Sequence, residues 1–177
     1  GPLLAQTPRH GLTCVSEGTN CFYVVRTSSL VDKARAHRAE EQRTRSSAVP
    51  LSQLGGRTPF PESLKVVLPP HQLCSGLLLN STSSMLAVWT RTSLFTYDVS
   101  SLTQLIGKSA STQPEPFFSR RAASGCLCVS WSPVKEEELL LVAPGRLSSV
   151  NVRSRRESVL LEDNVTSACY SPDALTV

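Results

Sequence analysis

The chain has 177 residues, 40% of them hydrophobic and 18% charged, with a net charge of +4. That balance suits a folded domain with polar loops, and so mild a charge does not by itself call for a nucleic acid or an acidic partner. No apolar run approaches the ~20 residues of a membrane-spanning helix, and Gly1-Pro2-Leu3-Leu4-Ala5 lacks the basic start and long apolar core of a secretory signal.

The first paired elements are Leu12-Thr13-Cys14-Val15 and Cys21-Phe22-Tyr23-Val24-Val25, separated by Ser16-Glu17-Gly18-Thr19-Asn20. Gly and Asn suit the positive φ of a tight turn, so this is a hairpin. It supplies inner or middle strands of a first β unit whose opening is missing or short. Residues 26–62 form a polar insertion. Its Arg-rich part, 33–45, carries helix formers but no apolar face, and Ser46 to Pro61 is rich in Ser, Gly and Pro. We expect a solvated loop with at most a short frayed helix. Leu64-Lys65-Val66-Val67-Leu68 then reads as a strand stopped by Pro69-Pro70.

A second unit follows. Leu73 to Ser81, Met85 to Trp89 and Ser93 to Val99 are three strands separated by turns. The connection from Ser100 to Ser124 holds Phe117-Phe118, read as an outer strand packed inward rather than as an exposed partner anchor. The third unit is the most regular. Cys126-Leu127-Cys128-Val129-Ser130-Trp131 alternates as a half-buried strand does and ends in Ser132-Pro133. A charged turn leads to Leu139 to Ala143, then Leu147 to Val152, then a basic turn at Arg153 to Arg156 and an outermost strand, Glu157 to Leu161. Val165 to Pro172 repeats the Trp131 strand with Tyr170 in the aromatic place, so a fourth unit is expected to open near Asn164.

Tyr170 lies 39 residues beyond Trp131, and Trp131 lies 52 beyond Leu79, which holds that place in the second unit. A four-stranded propeller blade recurs at roughly 40–45 residues, and 52 fits with an insertion. The fold class is therefore all-β: a partial β-propeller of about three blades, part of an expected seven-bladed ring, with a sandwich or barrel of short strands as the alternative. The domain is expected to span 1–177 as the N-terminal part of such a ring, with the missing blades downstream. The only methionine is Met85, so the chain is expected to be a segment of a longer protein or to carry a processing scar at Gly1-Pro2.

No catalytic, cofactor-binding or metal-binding residue is assigned. His10, His37 and His71 lack metal-ligand spacing, and no phosphate loop, nucleophile elbow or dinucleotide fingerprint occurs. Glu136-Glu137-Glu138 is a solvated turn, and Ser130 and Ser132 have no base nearby in sequence. The six cysteines, Cys14, Cys21, Cys74, Cys126, Cys128 and Cys169, form no C-x-x-C pair and read as buried thiols of a reducing compartment. The glycosylation triplets at Asn80 and Asn164 read as inert.

His71-Gln72-Leu73, Leu86-Ala87-Val88, Phe95 to Val99, Val129-Ser130-Trp131-Ser132-Pro133, Leu147 to Val152, and Val165 to Pro172, taken in this order, resemble the N-terminal propeller of the cytoplasmic-face nucleoporin family known as CAN in vertebrates. The likeness covers most of residues 11–177, on short motifs. It implies a non-catalytic docking platform at the cytoplasmic side of the nuclear pore complex, in mRNA export and nucleocytoplasmic transport. The implied partners are a DEAD-box mRNA-export helicase and other nucleoporins. The resemblance assigns no partner-binding residue, because the family's helicase-contacting loops lie in later blades. The Arg-rich 33–45 insertion departs from the family pattern. One alternative is a generic WD-repeat scaffold in a cytosolic complex. Another is an RNA-binding surface on Arg35, Arg38, Arg43, Arg45, Arg153, Arg155 and Arg156. The default for these arginines is solvation, with no direct nucleic-acid contact, no small-molecule substrate and no cofactor.

Overall fold

The computed structural model describes residues 2–6, 11–44, 62–109, 111–122, 125–126 and 128–162. The strands fall into three antiparallel sheets of four, each built from consecutive strands. The first sheet holds β1 (Leu3–Gln6), β2 (Leu12–Ser16), β3 (Cys21–Arg26) and β4 (Ser63–Val67). The second holds β5 (Gly76–Leu79), β6 (Met85–Trp89), β7 (Ser93–Asp98) and β8 (Phe118–Arg121). The third holds β9 (Cys128–Trp131), β10 (Glu138–Ala143), β11 (Arg146–Asn151) and β12 (Arg156–Glu162). Among the described residues two helices interrupt them, α1 (Thr27–Thr44) between β3 and β4 and α2 (Val99–Leu105) between β7 and β8.

The repeat read from sequence corresponds to equivalent positions. Trp131 pairs with Leu139 and Leu79 with Leu86, each at the end of a sheet's first strand. Tyr170 and the expected opening of a fourth unit lie outside the described residues. The opening strand of the first sheet, expected to be missing or short, is β1, only four residues long, which pairs Leu3 with Ser16. Two details differ from expectation. Leu73 to Ser75 are not strand, and Leu73 is exposed. The insertion expected as a loop with a frayed helix carries an 18-residue helix.

The helix follows from local propensity. Ala34, Arg35, Ala36, Arg38, Ala39, Glu40, Glu41 and Gln42 are all favourable helix residues. His37 faces Glu41 at 3.6 Å and Arg43 faces Glu40 at 3.7 Å, spacings that place side chains together on a helix surface. No apolar stripe runs along it, so it stays exposed beyond its first turn, where the Thr27 hydroxyl meets that of Thr13 at 2.9 Å and Leu30 lies over the sheet.

The sheets stack face to face through two apolar layers. β6 shows how. All five of its residues are buried, and they alternate: Leu86 and Val88 join the layer shared with the first sheet, while Met85, Ala87 and Trp89 join the layer shared with the third. Phe22, Val24 and Tyr97 fill the first layer, with the Phe22 and Tyr97 rings edge to face at 5.5 Å. Trp131, Leu139, Leu141 and Val150 fill the second. Phe118 is buried there on β8 and Phe117 packs against it, so the packed reading of this pair holds.

Candidate docking surface

In the second and third sheets the turns after β5 and β9 and the connections after β7 and β11 come together on one side. The seam between the second and third sheets on this side is built by polar side chains. Asn80 directly follows β5 and is 4% exposed. Its carbonyl oxygen accepts the backbone N–H groups of Ser84 and Met85 at 2.9 and 3.0 Å. Its amide nitrogen donates to the Ser84 hydroxyl at 2.9 Å and across the seam to the Glu136 carbonyl at 2.8 Å. A buried side-chain amide needs most of its hydrogen-bonding capacity used, and this one closes its own turn while clamping the next. Ser132 takes the corresponding place after Trp131; its hydroxyl accepts the Val134 and Lys135 N–H groups at 3.2 and 3.0 Å.

Three further bonds cross the same seam. Thr82 donates to the Glu136 carboxylate at 2.9 Å, and the Trp131 indole donates to the Leu78 carbonyl at 2.9 Å. On the outer rim Arg120 of β8 pairs with Glu157 of β12. Arg153 pairs with Glu137 and also lies over the Phe117 ring, 5.6 Å from its centroid. Beside these lies a cleft of about 420 Å³, lined by Thr82, Ser83, Ser84, Asp98, Ser100, Thr103 and Gln104 among others. Its walls offer hydroxyls, one carboxylate and one carboxamide. Such a set can hydrogen-bond a peptide.

A second cleft, about 440 Å³, lies on the face of the first sheet turned away from the second. Leu4, Val15, Tyr23, Val25 and Leu30 line it with Thr13, Ser16 and Glu17. Leu4, Thr13, Val15, Tyr23 and Val25 are alternate residues of β1, β2 and β3, while Ala5, Leu12, Cys14, Phe22 and Val24 of the other set pack in the first apolar layer.

The sequence candidates separate in space. Arg35, Arg38 and Arg43 are on α1, at the first sheet, while Arg153, Arg155 and Arg156 are at the third. Arg45 lies outside the described residues. Arg153 is committed to Glu137 and Phe117, and Arg43 to Glu40. The acidic turn is structural, since Glu136 receives Thr82, Glu137 receives Arg153, and Glu138 receives the Ser149 hydroxyl at 3.2 Å. Ser132 is buried and spent on its turn. Asn80 is equally spent on its turn; Asn164, His10 and Cys169 lie outside the described residues. Cys14, Cys21, Cys74 and Cys126 are free, buried thiols. Burial pushes the Cys14 thiol up to about 12 and that of Cys126 up to about 11, the latter against a lowering pull from Arg120. Neither is a thiolate at neutral pH. Among the described residues no three His, Cys, Asp or Glu side chains group to hold a metal. No helix in the described residues is long and apolar enough to cross a membrane. The roles of Asn80 and Ser132 escaped the sequence reading. The signal was there: both are the first residue after the strand that ends in Leu79 or Trp131.

No protein-family profile matches the chain, and no curated protein matches it. Solved structures do. A chain of the mitotic checkpoint complex superposes with a TM-score of 0.60 at 14% identity, over 98% of this chain and 42% of that one. The N-terminal domain of Nup159 superposes with a TM-score of 0.55 at 14% identity, over 96% and 36%. Sqt1 of Saccharomyces cerevisiae gives 0.52 at 11%, over 92% and 35%. All three are β-propellers. The fold is a partial β-propeller. Each four-stranded sheet is a blade, and the chain spans about two fifths or less of the length of these structures.

Proposed function

We propose that this chain is the opening part of a non-catalytic nucleoporin propeller, a docking platform for proteins at the cytoplasmic side of the nuclear pore in mRNA export. The observation that carries the reading is the likeness to the Nup159 N-terminal domain, together with a structure of dbp5 bound to nup159 and gle1, matched at a TM-score of 0.51 and 14% identity. At that identity the likeness speaks for the fold, and the motifs of residues 71–172 supply the rest of the support. The partners on this reading are a DEAD-box helicase and other nucleoporins, engaged through the blades of a seven-bladed ring. The polar seam fits a platform, because its groups are occupied in holding blades in register.

The likeness to the mitotic checkpoint complex favours a second reading, a WD-repeat scaffold in another assembly. Affinity purification of the natural full-length protein, with fluorescent tagging, separates the two. Rim staining of the nuclear envelope and recovery of a DEAD-box helicase support the pore reading. Diffuse staining and recovery of another complex replace it with the scaffold. The RNA-binding reading predicts affinity that falls steeply with salt. The divided arginines and the engaged Arg153 argue against it.

A further inference from the structure

The tip of the third blade carries a serine in an unusual setting. Arg155, Arg156, Glu157, Ser158 and Val159 run from the turn into β12, the blade's outermost strand. Ser158 is therefore preceded by arginines three and two residues upstream and followed by an apolar residue. Of the described serines and threonines, it alone has arginine at both upstream places. We propose that Ser158 is a phosphorylation site for a serine kinase that selects basic residues upstream of its target.

Four features of the fold support this. Ser158 is exposed, and its hydroxyl makes no hydrogen bond among the described residues. Arg155 and Arg156 are exposed and form no ion pair there, so both guanidinium groups are available to acidic groups of a kinase cleft. Glu157, which would otherwise neutralise them, points to the other face of the strand, where it is held by Arg120 and by Arg146 at 3.9 Å. Finally, among the described residues β12 pairs only with β11, and it is already extended. Val159 is 41% exposed and open to an apolar contact. Ser154, on the same turn, lacks the two upstream arginines and serves as an internal control.

The reaction is phosphoryl transfer from a nucleoside triphosphate. The Ser158 hydroxyl oxygen bonds to the γ-phosphorus, the bond from that phosphorus to the bridging oxygen breaks, the nucleoside diphosphate leaves, and the hydroxyl proton passes to the kinase's base. The product carries about −1.5 to −2 charges at pH 7. That is enough to offset the two free arginines and to convert a basic corner of the rim into a neutral or acidic one.

The test uses the natural full-length protein, folded, with the catalytic subunit of a cAMP-dependent kinase and Mg-ATP, read by intact mass and fragment mapping. One phosphate at Ser158 is expected, lost in Ser158→Ala and unchanged in Ser154→Ala. With both Arg155 and Arg156 changed to Ala, incorporation should slow by about tenfold or more, as expected for losing charge-assisted contacts. Far-UV circular dichroism of the variants should match the parent, because these side chains are exposed. Incorporation at another residue, or at Ser158 only after heat unfolding, overturns the proposal, as does equal incorporation in the double arginine variant.

Discussion

Gly76 pairs directly with Trp89 across β5 and β6, and the indole lies where a side chain would be. A methyl group on Gly76 would come within 2.0 Å of the ring. Trp89 is itself part of the layer between the second and third blades, so the ring cannot move aside freely. Gly76→Ala should therefore destabilise the fold by about 1–3 kcal/mol, measured as a lowered denaturation midpoint with an unchanged slope. The thiols make a second case at this scale. Burial raises Cys14 from 9.0 to about 12, Cys126 from 9.0 to about 11, and Tyr97 from 10.0 to about 12, with Cys74 adding to the shift of Tyr97. Each group loses its proton more readily when unfolded. Their contribution is complete below pH 9 and declines as pH rises from about 9 towards 12. Urea titrations at pH 8, 9.5 and 10.5 should show falling stability. At pH 8 a thiol reagent should label Cys14 and Cys126 only after unfolding.

At the scale of elements, short apolar runs bounded by turns made most strands readable. The Trp131 strand was legible because its residues alternate, its partner beginning at Leu139 because an apolar run follows a charged turn, and the offset from Leu79 exposed the repeat. β1 was not legible, since Leu3-Leu4-Ala5-Gln6 is too short to show a period. α1 hid for the opposite reason. Helices are recognised by an apolar stripe, and this one has none; it forms on propensity and on surface pairs such as His37 with Glu41. α2 offers only Val99 and Leu102 as buried residues, too few for a periodic signal. The seam was invisible because an asparagine's burial depends on a blade far away in sequence. The character of α1 gives a prediction. Ala36 is exposed at mid-helix, so Ala36→Gly should cost the helix about 1 kcal/mol and lower its circular dichroism signal, while the unfolding midpoint of the sheets stays unchanged.

Across the whole molecule, the second blade holds the other two together, because β6 sends alternate residues into both apolar layers. Leu86, in the layer between the first and second blades, and Leu139, in the layer between the second and third, are each fully buried. Leu86→Ala and Leu139→Ala should each cost about 2–5 kcal/mol. Because one strand serves both layers, each should shift a single transition rather than split off a blade, as monitored by calorimetry and tryptophan emission together. The linker between a blade's third and fourth strands shows a different freedom. It runs over 27–62 in the first blade, 99–117 in the second and only 152–155 in the third. Gln113 lies within the middle one, and its carboxamide reaches back to the first blade's outer strand, accepting the Val67 N–H and donating to the Lys65 carbonyl at 2.9 Å each. Blades of one architecture thus accept very different amounts of chain at one joint without any change to their layers. That joint is where a reporter domain could be spliced in, for instance after the exposed Lys108, to ride on the outside of the assembly while the stacked blades beneath it fold as before.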